Sequence, residues 1–80
     1  MKLAIIGYGT QGKKRSRILK KNKIPHTIID PFYPNADFKY VEQLNKQISH
    51  AFLCTPDDIK LEIIKYLIKK NIKILVEKPL

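Results

Sequence analysis

The first twelve residues, MKLAIIGYGTQG, constrain the fold more than any other stretch. Leu3, Ala4, Ile5 and Ile6 are apolar without a break, as expected of a strand, Lys2–Ile6, covered on both faces. That strand runs directly into Gly7, Gly9 and Gly12, spaced G-x-G-x-x-G. In such a turn the first glycine permits the tight bend. The second removes a side chain that would block an approaching phosphate, and the third lets the next helix lie close to the strand. A helix that starts there presents unpaired N–H groups and the positive end of its dipole to an anion.

The next segments alternate. Gln11 to Asn22 reads as a helix whose apolar positions are chiefly Ile18 and Leu19, with Asn22 as its C-cap and Pro25 blocking continuation. His26–Asp30 is a second strand. Its terminal Asp30 stands about 20 residues beyond the glycines, the offset of a carboxylate that accepts from an adenosine ribose. Pro31–Asp37 is a loop, Phe38–Tyr40 a short edge strand, and Val41–Gln47 a short helix with Val41 and Leu44 inward. Ser49–Thr55 is the next strand. Thr55-Pro56-Asp57-Asp58 then starts a helix, with Thr55 as N-cap and Pro56 at the first helical position. That helix reaches Lys70 on an apolar face of Ile59, Ile63, Ile64, Leu67 and Ile68, with Asn71 as its cap, and Lys73–Val76 is a last strand.

This alternation predicts an α/β fold: a Rossmann-like parallel sheet with helices on both faces. Right-handed crossovers place Lys2–Ile6 centrally, His26–Asp30 on one side, Ser49–Thr55 on the other and Lys73–Val76 outside it. Gly7, Asp30, Thr55 and Glu77 then share the carboxyl edge of the sheet, where ligands bind in such folds.

The chain has 80 residues, enough for one small domain, and 44% of them are hydrophobic, enough for a core. The single cysteine, Cys54, excludes an intrachain disulfide and fits a reducing cytoplasm. It reads as a small buried residue, because no second thiol or local base accompanies it. No run approaches a membrane span, and the start lacks a signal-peptide layout. His26 and His50 stand at strand starts, the opposite edge from the glycines, and no Cys/His spacing suggests a metal.

The net charge of +9 raises the question of an anionic partner. Its densest cluster, Lys13, Lys14, Arg15, Arg17, Lys20, Lys21 and Lys23, follows the glycine turn and can steer a phosphate-bearing ligand towards it. Nucleic acid is disfavoured as a partner, since that helix has no interleaved aromatics and matches no recognised module. Tyr8, Phe32 and Tyr33 can stack near a bound adenosine or pack the loop.

The glycine turn, Cys54-Thr55-Pro56 after the Ser49–Thr55 strand, and Val76-Glu77-Lys78-Pro79-Leu80 form an ordered set. It resembles the N-terminal dinucleotide-binding domain of the glucose-fructose oxidoreductase, inositol dehydrogenase and MocA family, over the whole chain. The resemblance implies an NAD(P)-dependent oxidoreductase that acts on a sugar, polyol or related hydroxyl by hydride transfer. Gly7, Tyr8, Gly9, Thr10, Gln11 and Gly12 would line the pyrophosphate, Asp30 the ribose, and Thr55 and Pro56 the length of the cofactor. Glu77 and Lys78 would sit by the nicotinamide, and the catalytic assignment would fall on Lys78. Asp30 would repel a 2′-phosphate, so NAD is expected over NADP. Asp57 and Lys60 stand where the family often has Asn and His. Residues 1–80 would form about the first half to two-thirds of the nucleotide domain, without a substrate domain, and would turn over nothing alone. A non-catalytic nucleotide-binding or sensing module, or a partner subunit, shares the turn and Asp30 without needing Lys78.

Overall fold

A computed structural model describes residues 2–43, 48–55 and 57–76. The elements are β1 (Leu3–Ile6), α1 (Thr10–Lys21), β2 (His26–Ile29), a single 3-10 turn at Val41–Gln43, β3 (His50–Leu53), α2 (Asp57–Lys69) and β4 (Lys73–Val76). All four strands are parallel, in the order β2-β1-β3-β4. The fold is α/β and Rossmann-like, with the expected strand order.

Period-2 alternation sorts the strand residues between two layers. Ala4, Ile6, Ala51 and Leu53 pack with Leu67, Ile63 and Ile64 of α2. Leu3 and Ile5 pack on the other face with Leu19 of α1, beside half-buried Phe52. The apolar run of β1 is therefore covered from both sides.

Both helices end in a Schellman motif. In α1 the Ile24 N–H bonds the Leu19 carbonyl and the Lys23 N–H bonds that of Lys20, with Lys23 left-handed at φ 57°. In α2 the Ile72 and Asn71 N–H groups bond the carbonyls of Leu67 and Ile68, with Asn71 at φ 60°. The expected caps, Asn22 and Asn71, hold these ends, and Asn22 adds a side-chain bond to the Ile18 carbonyl.

Some expectations need correction. Of the two apolar positions in α1 only Leu19 is buried, and Ile18 is exposed. The inward stripe is Gly12, Ser16 and Leu19, because Ser16 Oγ pairs with His26 Nε2 at 2.8 Å and so enters the interior satisfied. Ile68 is exposed too, because it lies about 100° around the helix from buried Leu67. Phe38–Tyr40 is not a strand but one bridge, Phe38 to Ile29. The neighbouring edge position is filled by a side chain: Asp37 Oδ2 accepts the Ile28 N–H at 2.8 Å. The helix expected over Val41–Gln47 is a 3-10 turn through Gln43 with Val41 buried, and the rest, with Leu44, lies outside the described residues.

Register fixes the site. Ile6 is level with Ile29 and with Leu53, and Leu53 with Val76. The residues that leave this row, Gly7, Asp30 and Cys54, gather at one edge of the sheet, with Thr55 one residue further on.

Candidate functional site

Gly7 binds this edge together. Its φ of +94° is a conformation that a side chain rarely tolerates, and its N–H bonds the Ile29 carbonyl at 2.8 Å. A β-carbon there would lie 2.8 Å from the Cys54 carbonyl oxygen and 3.1 Å from Thr55 Cγ2. At Gly12 a β-carbon would lie 2.0 Å from the Gly7 carbonyl oxygen. Gly9 differs from both, since a β-carbon there would meet nothing within 4 Å. Two glycines are thus demanded by packing, while the third leaves open space over the start of α1.

Gly9 is the N-cap of α1, with extended backbone and no side-chain capping bond. The first turn holds no acidic residue. The first N–H groups of a helix have no partner within it, and the cap residue Gly9 supplies no side-chain acceptor for them. Lys13 and Lys14 add positive charge at an end already positive through the helix dipole. An anion at Gly9 would relieve both deficits. By contrast, the first two residues of α2 are Asp57 and Asp58, of the sign its dipole favours.

Asp30 is held next to the turn. Its Oδ2 accepts the Tyr8 N–H at 2.6 Å, and its Oδ1 accepts those of Phe32 and Tyr33 at 2.7 and 3.1 Å. The carboxylate therefore ties the loop after β2 to the glycine turn. A carboxylate offers about four acceptor positions, so one remains for a ribose hydroxyl.

The same tie brings two aromatic rings together. Tyr8 and Tyr33 stack at 4.3 Å between centroids, 27° from parallel. Phe32, between Asp30 and Tyr33, is 91% exposed and packs on neither. The tyrosine stack borders a groove of about 310 Å³ lined also by Lys13, Ser16, Arg17 and Lys20. Lys13 Nζ lies 6.0 Å from the Tyr8 ring centroid. The i, i+4, i+7 spacing of Lys13, Arg17 and Lys20 was present in the sequence, but the tyrosines facing them come from two other segments.

Thr55 does not cap α2, contrary to its expected role. Its Oγ1 is buried and makes no hydrogen bond among the described residues. The Thr55 atom nearest Gly7 is its methyl, Cγ2, so the residue packs against the turn. The open face of Gly9 and the uncapped start of α1 are of the chemistry that suits an anionic group such as a phosphate. Cys54 is half-buried rather than buried as expected, because it lies past the end of β3 at the sheet edge, and its N–H bonds the Ile6 carbonyl at 2.8 Å, joining β3 to β1. Pro56, Glu77 and Lys78, each a sequence candidate, lie outside the described residues.

The histidines sit at the opposite edge, as expected. His26 Nδ1 donates to the Ile24 carbonyl at 3.0 Å, which leaves Nε2 to accept from Ser16. His50 pairs with Ser49 at 2.8 Å. No group of His, Cys, Asp and Glu among the described residues could hold a metal, and no described helix is long and apolar enough to cross a membrane. Comparison of the chain with protein-family models, curated proteins and solved structures found no match.

Proposed function

We propose that this chain binds a nicotinamide dinucleotide, as the cofactor-binding part of an oxidoreductase like those of the glucose-fructose oxidoreductase, inositol dehydrogenase and MocA family. The observation that carries the reading is the uncapped start of α1, open over Gly9 with Asp30 tied beside it. The N–H groups of Gly9, Thr10, Gln11 and Gly12 receive the pyrophosphate. Asp30 orients the adenosine ribose through its remaining acceptor position.

The cofactor supplies the hydride chemistry, and the chain supplies position and electrostatics. The substrate class is a sugar, polyol or related hydroxyl compound. Lys78 is the proposed catalytic group, with Glu77 as its ion partner and Pro56 along the cofactor. Calorimetric titration of the full chain with NADH tests the reading. Saturable binding is expected for the parent, and a loss of about tenfold or more for Gly9→Val, whose side chain fills the phosphate's place. A folded parent that binds no NADH would overturn it.

A further inference from the structure

The groove beside the tyrosine stack is not needed for the pyrophosphate, yet its composition is specific. Lys13, Arg17 and Lys20 stand on one face of α1, and among the described residues no carboxylate lines the groove with them. Three cations in one wall repel one another, and a dianion between them turns that repulsion into attraction. The opposite wall is Tyr8 stacked on Tyr33. The backbone N–H groups of those two tyrosines bond Asp30, the residue placed at the ribose. The groove therefore adjoins the ribose position and faces it with positive charge.

From the sequence, Asp30 argues against a phosphorylated ribose. The structure changes the weight of that argument. Three backbone N–H dipoles point at the Asp30 carboxylate, two on Oδ1 and one on Oδ2, so it keeps its single negative charge with most of its acceptor positions turned into the loop. Against that one negative charge the groove sets three cations, Lys13, Arg17 and Lys20.

We propose that Lys13, Arg17 and Lys20 form a phosphate subsite that takes a 2′-phosphate on the adenosine ribose, making the phosphorylated dinucleotide the preferred ligand. This rests on the dinucleotide reading of the glycine turn. Arg17 supplies planar, paired donors, and the lysines supply point charges. The tyrosine stack closes the aromatic side of the groove.

Titration of the full chain with 2′,5′-ADP and with 5′-ADP tests this. The 2′-phosphate is expected to raise affinity about tenfold or more. The gain should disappear in Arg17→Ala/Lys20→Ala, while 5′-ADP affinity stays within about twofold of the parent. A control of equal charge change elsewhere, Lys65→Ala/Lys69→Ala, should keep the gain. Equal affinity for the two ligands overturns the subsite and leaves the glycine-turn reading intact. So does a gain that survives Arg17→Ala/Lys20→Ala or is lost equally in the control. Failure of both ligands to bind overturns both readings.

Discussion

The Asp30 carboxylate accepts the Tyr8 N–H at 2.6 Å, joining the end of β2 to the glycine turn across 22 residues of sequence. Phe32 and Tyr33 donate to the same carboxylate. Asp30 therefore shapes the turn before it meets any ligand. Asp30→Ala leaves three N–H groups to find other acceptors. A loss of about 2 kcal/mol in urea unfolding is expected, together with weaker dinucleotide binding. An unchanged midpoint would show that the carboxylate has no structural part.

Gly9 and Gly12 belong to one motif, yet they should respond to alanine in opposite ways. At Gly12 the new β-carbon meets backbone at 2.0 Å, so α1 must shift away from Gly7. Gly12→Ala is expected to cost about 3 kcal/mol, a large share of what a domain this small holds. At Gly9 the same methyl enters open space. Gly9→Ala should keep its thermal midpoint and lose dinucleotide affinity. Parallel thermal melts and titrations of the two variants check this.

Lys23 holds a left-handed conformation at φ 57° to close the Schellman motif of α1. A side chain with a β-carbon is strained there, and glycine is not. Lys23→Gly should raise stability by about 1 kcal/mol in urea unfolding. Asn71→Gly, at φ 60°, should gain less, since asparagine tolerates the conformation better.

Asp37 fills the edge of β2 with a side chain where the sequence suggested a further strand nearby. Asp37→Ala removes the acceptor of the Ile28 N–H and opens that edge to pairing with other chains. A loss of about 1 kcal/mol and an increase in concentration-dependent aggregation by light scattering are expected.

The sheet was legible because β1, β3 and β4 are short apolar runs, and because β2 ends in β-branched residues between turn signals. Strand order followed from right-handed crossovers, and Gly7, Asp30 and Thr55 followed from strand ends. The burial of Ser16 escaped prediction, because the serine is polar alone and its hydroxyl is satisfied only once His26 accepts its hydrogen bond. Ile18 misled for the opposite reason, as an apolar residue off the inward stripe. The basic groove could not be read because stacking of Tyr8 on Tyr33 depends on Asp30 drawing two distant backbone segments together. The Thr55 hydroxyl was assigned to capping on spacing alone, and its burial without a partner is visible only in three dimensions.

The central claim is that a dinucleotide pyrophosphate docks on the start of α1. Backbone amide chemical shifts of the isotope-labelled chain, followed as NADPH is added, test it most directly. Saturable shifts are predicted at Gly9, Thr10, Gln11 and Gly12, with smaller ones at Tyr8 and Asp30 and none at His26 or His50. Shifts that leave the Gly9–Gly12 amides unmoved at saturation would contradict the claim, as would an absence of shifts in a folded sample.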